Sequence, residues 1–185
     1  MSIIYVWDER WPGSFEFARK HAMAGEPRFG FTACKNSKIG WIVKQIIGLS
    51  QGPGQIKLLR ICAHGNMGFV QLGKDGLTVA TAAHMSVLKH FFSKDPATRI
   101  EIHACGVASA TNIVKSRAGR PVRDARGHLV CEPGFIDFWE PRGSGMLLLE
   151  AIKKATGTTV LAGIDCQNPD EDYAFEGPVV HAVSP

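Results

Sequence analysis

A chain of 185 residues with 45% hydrophobic content is the size of one ordinary globular domain and long enough to bury a full core. Its net charge of +4 is scattered along the chain apart from one arginine-rich loop, which argues against nucleic acid as the partner. No apolar run is long enough to cross a membrane, and five cysteines at irregular spacing, without Cys-x-x-Cys, argue against a disulfide framework and point to thiols in a reducing compartment.

In chain order, residues 3–7 read as a first strand. The run Ile3-Ile4-Tyr5-Val6-Trp7-Asp8-Glu9-Arg10 has neither the basic leader nor the apolar length of a signal peptide, so the expected location is cytoplasmic, or exported without one. A Gly-rich irregular stretch follows. An amphipathic helix is predicted over 37–49, with Ile39, Val43, Ile46 and Ile47 on one face. Residues 69–72 and 77–79 read as a small hairpin closing over Lys74-Asp75-Gly76. Thr81 is a cap for the next helix, where Met85, Leu88, Phe91 and Phe92 recur at helical spacing. A helix is predicted over 109–117, a hairpin through 129–139, a helix over 146–155, and strands over 158–164 and 178–183. Strands alternating with helices imply an α/β fold with a mainly parallel sheet and helices on both faces, in a single domain over 1–185 with a hairpin or loop insertion at about 117–142.

Two junctions carry the chemistry. Lys57-Leu58-Leu59-Arg60-Ile61-Cys62-Ala63-His64-Gly65 is an apolar run ending in a histidine; Arg99-Ile100-Glu101-Ile102-His103-Ala104-Cys105-Gly106 is one ending in a cysteine. Ligands bind outside the carboxyl ends of parallel strands, so His64 and Cys105 are expected on one edge of one sheet. A thiol is mostly protonated at neutral pH, and a histidine within reach can take its proton and pass it to a leaving group. Gly65 and Gly106 permit tight turns and close approach of a substrate backbone.

The segments Ile61-Cys62-Ala63-His64-Gly65-Asn66 and Ile102-His103-Ala104-Cys105-Gly106 resemble the caspase-like cysteine peptidases, and look closest to small bacterial members. The resemblance covers about 56–111; beyond it only element order agrees. It implies a three-layer sandwich and a cysteine endopeptidase with Cys105 as nucleophile, His64 as general acid and base, and the backbone amides of Gly65 and Cys105 as the oxyanion hole. It implies a protein or peptide substrate, no cofactor and no metal. His103-Ala104-Cys105-Gly106-Val107 stands where caspases have Gln-Ala-Cys-Arg-Gly, so their aspartate specificity does not carry over. The competing expectations are an inactive binding or scaffold module of the same fold, and another Cys-nucleophile amidohydrolase.

Other residues have duller and sharper readings. Asp165, at the end of the 158–164 strand, either lines a pocket favouring Arg or Lys before the cut or is a solvated loop carboxylate. Arg117, Arg120, Arg123 and Arg126 form either a solvated turn or a self-cleavage segment. His103 is expected on a sheet face as a packed histidine, His21, His84, His90, His128 and His181 at the surface, and Cys34, Cys62, Cys131 and Cys166 as structural thiols.

Overall fold

Six strands form the main sheet in the order β10-β9-β6-β3-β1-β2. A computed structural model describes residues 1–11, 28–108, 116–117, 120–121, 144–163, 175 and 179–182. The strands are β1 (Ser2–Asp8), β2 (Arg28–Ala33), β3 (Ile56–Cys62), β6 (Arg99–His103), β9 (Thr159–Gly163) and β10 (Val179–Ala182). All pairings are parallel except β10 on β9. β1 is buried along its whole length, as a strand covered on both faces must be, which is why its sequence runs apolar without alternation. From β1 the chain steps to β2 on one side and then to β3 on the other, so the gap beyond the carboxyl ends of β1 and β3 is a topological switch point.

The helices are α1 (Ile39–Leu49), a 3-10 helix (Ala82–His90) and α2 (Ser144–Thr156). α1 buries Ile39, Ile42, Val43 and Ile46, the spacing of one α-helical stripe. Its first turn has no local side-chain cap; the Asp75 carboxylate accepts from the Ile39 amide instead, at 3.4 Å. The second helix buries Ala82, Met85 and Leu88, a strict three-residue repeat that the 3-10 form eclipses on one side. All three helices share one core with Ile4, Val6, Leu59, Ile61, Ile100, Ile102, Val160 and Ala162. The opposite sheet face carries Tyr5, Trp7, Arg60, Cys62, Glu101 and His103 by strand alternation.

Several expectations need correcting. β2 lies at the end of the stretch read as irregular. The helices among the described residues pack on one face of the sheet, and most of the helix expected over 109–117 lies outside those residues. Thr81 does not cap its helix: its backbone is itself helical, and its hydroxyl serves the preceding turn, accepting from the Thr78 amide and donating to the Gly76 carbonyl. The expected hairpin is reduced to a bridge between Val70 and Leu77, because β5 (Phe69–Gln71) pairs back onto β4 (His64–Asn66). The helix expected over 109–117 does not reach its end, since β7 (Ser116–Arg117) pairs with β8 (Arg120–Pro121). The hairpin expected through 129–139 lies outside the described residues, as do His21, Arg123, Arg126, His128, Cys131, Asp165 and Cys166.

Candidate active site

β3 and β6 are neighbours with Cys62 opposite His103, so the chain leaves both strands at the same level. After β3 a single residue, Ala63, separates the strand from His64, which opens the β4–β5 hairpin; the Ala63 amide donates to the His103 carbonyl at 3.2 Å. After β6 the chain turns through Ala104, Cys105 and Gly106, whose φ of 58° is the left-handed conformation that glycine takes without strain. Neither reactive residue ends its strand; each lies just past it.

The two turns abut. A Cβ on Gly65 would stand 2.7 Å from the Ala104 Cβ, 2.6 Å from Val107 Cγ2 and 3.1 Å from the Cys105 carbonyl oxygen. Only a glycine lets the histidine turn approach the cysteine turn this closely. Three further contacts hold the 104–108 segment. The Gly68 amide donates to the Val107 carbonyl at 3.1 Å, the Ala108 amide donates to the Gly163 carbonyl at the end of β9 at 3.2 Å, and Gly145 at the start of α2 presses on Val107 and Ala108. Both the N–H and the C=O of Val70 bond to Leu77, so the Gly65–Val70 pair is a non-hydrogen-bonded one and the Gly65 amide turns away from β5.

His64 is exposed, and its ring is oriented by the loop after β1. Nε2 lies 2.9 Å from the Arg10 carbonyl oxygen, and Trp11 meets the ring edge-on at 5.5 Å between centroids. A carbonyl only accepts, so Nε2 carries the hydrogen and the neutral imidazole keeps its lone pair on Nδ1. The loop is itself clamped. The Arg10 guanidinium grips the fully buried Asp8 carboxylate through Nε at 2.5 Å and Nη2 at 2.7 Å, and Nη2 also donates to the Gly73 carbonyl at 2.8 Å. Burial pushes the Asp8 carboxyl up, but hydrogen bonds from Arg10 and from the Gly73 amide outweigh it and hold the group below its ordinary value. Sequence reading did not single out Arg10 or Trp11. The available signal was their place just past a fully apolar strand at the sheet edge.

Cys105 is only 6% exposed. Cys62 is sealed on the sheet face, where burial pushes its thiol up to about 12. Cys34 is exposed rather than packed, which corrects the structural reading of that residue. His103 lies on the sheet face, 3.4 Å from the Glu101 carboxylate and stacked on Phe175 at 4.3 Å, while His84, His90 and His181 are exposed. Arg117 and Arg120 are register partners in the β7–β8 pair.

Among the described residues, no helix is long and apolar enough to cross a membrane. No protein-family model, curated protein or solved structure matches this chain.

Proposed function

We propose that the protein is a cysteine endopeptidase of caspase-like architecture, working through a His64–Cys105 dyad. The observation that carries the reading is the close packing of the His64-Gly65 turn on the Ala104-Cys105 turn at the carboxyl edge of two adjacent parallel strands. The orientation of His64 supports it, because a ring whose Nε2–H is committed to the Arg10 carbonyl offers Nδ1 as a base.

In this reading Nδ1 takes the Cys105 thiol proton as sulfur attacks the scissile carbonyl carbon, and the carbonyl π pair moves onto oxygen. The amides of Gly65 and Cys105 receive that oxyanion. As the tetrahedral adduct collapses, the C–N bond breaks, the imidazolium gives its proton to the departing amine, and a thioester remains. Water, deprotonated by the same imidazole, then attacks the thioester; the acid product leaves and the thiol is restored. A side chain at Asp165 favouring Arg or Lys before the bond, and cleavage at Arg117, Arg120, Arg123 or Arg126 by the enzyme itself, belong to the same proposal.

The 6% exposure of Cys105 favours a second reading, a scaffold module in which the thiol is only packed. A fluorogenic peptide library turned over by wild type, His64→Ala and Cys105→Ala, with folding followed by circular dichroism, separates them. The peptidase reading expects Cys105→Ala to be inactive and folded His64→Ala to lose on the order of 10² to 10⁴ in turnover. Turnover that survives in Cys105→Ala, or absent from wild type across the library, overturns it.

A further inference from the structure

A cleft of about 610 Å³ opens between the turn after β2 and the start of α1, a volume in the range that binds small ligands and short peptide segments. Its walls are the turn after β2, with Cys34, Ser37 and Lys38, the first turns of α1, Asp75 and His84 of the 3-10 helix. Lys38, the extended residue that precedes α1, and Trp41 and Lys44 within it all line the cleft, each set about 60° around the helix from the one before, so they form an oblique row. Each of the three is exposed, Trp41 at 44% with its ring edge-on to Phe31 at 6.1 Å. Among the described residues neither lysine forms an ion pair. The one acid in the wall, Asp75, is turned to the Ile39 amide at the helix start. Gly40, beside Trp41, leaves the wall open, since a Cβ there would meet nothing within 4 Å.

We infer that this cleft binds an acidic peptide segment, with an aromatic or apolar side chain lying on Trp41 between carboxylates paired to Lys38 and Lys44. The lengths agree. Six residues of helix at 1.5 Å each separate the lysines by about 9 Å along the axis, and three residues of extended peptide span about 10 Å. The charges agree as well, with two ammonium groups that make no ion pair among the described residues flanking an aromatic plane. The turn carrying Asp75 begins at Gly73, which the Arg10 guanidinium holds, so the cleft and the His64 loop are joined through one clamp. Binding itself requires neither His64 nor Cys105, and stands apart from the peptidase reading.

The test uses the full chain carrying Cys105→Ala, so that no probe is cleaved, titrated with the acetylated, amidated peptide Glu-Phe-Glu-Asp and followed by tryptophan emission and calorimetry. The expected result is saturable binding that weakens steeply with salt, at least tenfold weaker in the Lys38→Glu, Lys44→Glu double variant, with the emission change lost in Trp41→Phe. Gly40→Gln, which fills the wall at a site with room for a side chain, is expected to weaken binding while the protein melts no lower. No saturable binding, equal binding of Lys-Phe-Lys-Lys, affinity unchanged by the charge reversal, or tighter binding of single-stranded oligothymidylate than of the acidic peptide would each overturn the inference.

Discussion

The three of the five cysteines that lie among the described residues stand in three environments, and their chemistry should divide accordingly. Burial holds the Cys62 thiol at about 12, so it carries almost no thiolate at any ordinary pH. Cys34 is open to solvent and Cys105 is nearly enclosed beside the histidine turn. Access alone would rank Cys34 first. In the proposed dyad the thiol hands its proton to His64 and reacts as the thiolate even in mildly acid solution, so the peptidase reading expects the reverse order. Brief iodoacetamide treatment of native protein at about pH 6, followed by peptide mapping, should find Cys105 modified ahead of Cys34 and Cys62 untouched until denaturant is added. Cys34 reacting first would remove the thiolate from the site. The same alternation that buries Cys62 separates the two histidines near the site. His103 follows the strand register onto the sheet face, and His64 lies past the strand end, where side chains reach solvent.

At the scale of elements, glycine placement gives a paired prediction. Gly65→Ala forces a Cβ against Ala104 and Val107, where the neighbours are pinned by bonds to Gly68 and Gly163 and cannot easily retreat. A loss of about 1 to 3 kcal/mol is expected, as for other overpacked sites. Gly48→Ala lies in α1 with nothing within 4 Å, and should gain about 0.5 to 1 kcal/mol from helix propensity. Urea midpoints of the two variants check both signs; an unchanged Gly65→Ala would mean that the turns do not press on each other. Much of this arrangement was legible in sequence. β1, β3, β6, β9, α1 and α2 announce themselves by continuous apolar runs or by 3–4 spacing, and the Gly after each reactive residue marks the turns. β2 was not legible, because Arg28–Ala33 is a half-exposed edge strand interrupted by Gly30, with neither a buried run nor clean alternation. The 3-10 helix was mistaken for an α-helix because Met85, Leu88 and Phe92 fit a 3–4 spacing; the three-residue repeat that includes Ala82 was the better guide. The pairing of β4 with β5 was hidden by its length of three residues.

At the scale of the whole molecule, one face of the main sheet is apolar and the other sets Arg60, Glu101 and His103 beside a smaller apolar cluster that includes Tyr5, Trp7 and Cys62, and the charged group is expected to shape the response to acid. Arg60 and Glu101 sit opposite each other on β3 and β6, joined at 2.5 Å, with Arg99 on the other carboxylate oxygen at 2.6 Å and His103 at 3.4 Å. Burial pushes the Glu101 carboxyl up, but the His103 hydrogen bond and the charge and hydrogen bond of Arg60 overcome it and hold the group at about 2. Burial also holds His103 below its ordinary value, with Glu101 only partly offsetting it, and a neutral ring still donates its Nε2–H. Both groups destabilise the fold on acidification, in sequence. Below about pH 6.5 the unfolded chain protonates its histidine while the native state resists, so stability declines first there. Glu101 contributes fully above its ordinary value of 4.5 and loses that contribution as pH falls toward about 2, in total about 3 kcal/mol. Urea midpoints between about pH 3 and 8 should therefore fall in two stages. His103→Gln should flatten the stage between about 6.5 and 4.5 and leave the lower one, whereas Glu101→Gln should be weaker already at pH 7, by about 3 to 5 kcal/mol, because the largely buried Arg60 loses the carboxylate charge opposite it. A slope between pH 6.5 and 4.5 that is the same with and without His103 would show that this buried ring does not set the acid limit, and would leave that role to Glu101 and the arginines paired with it.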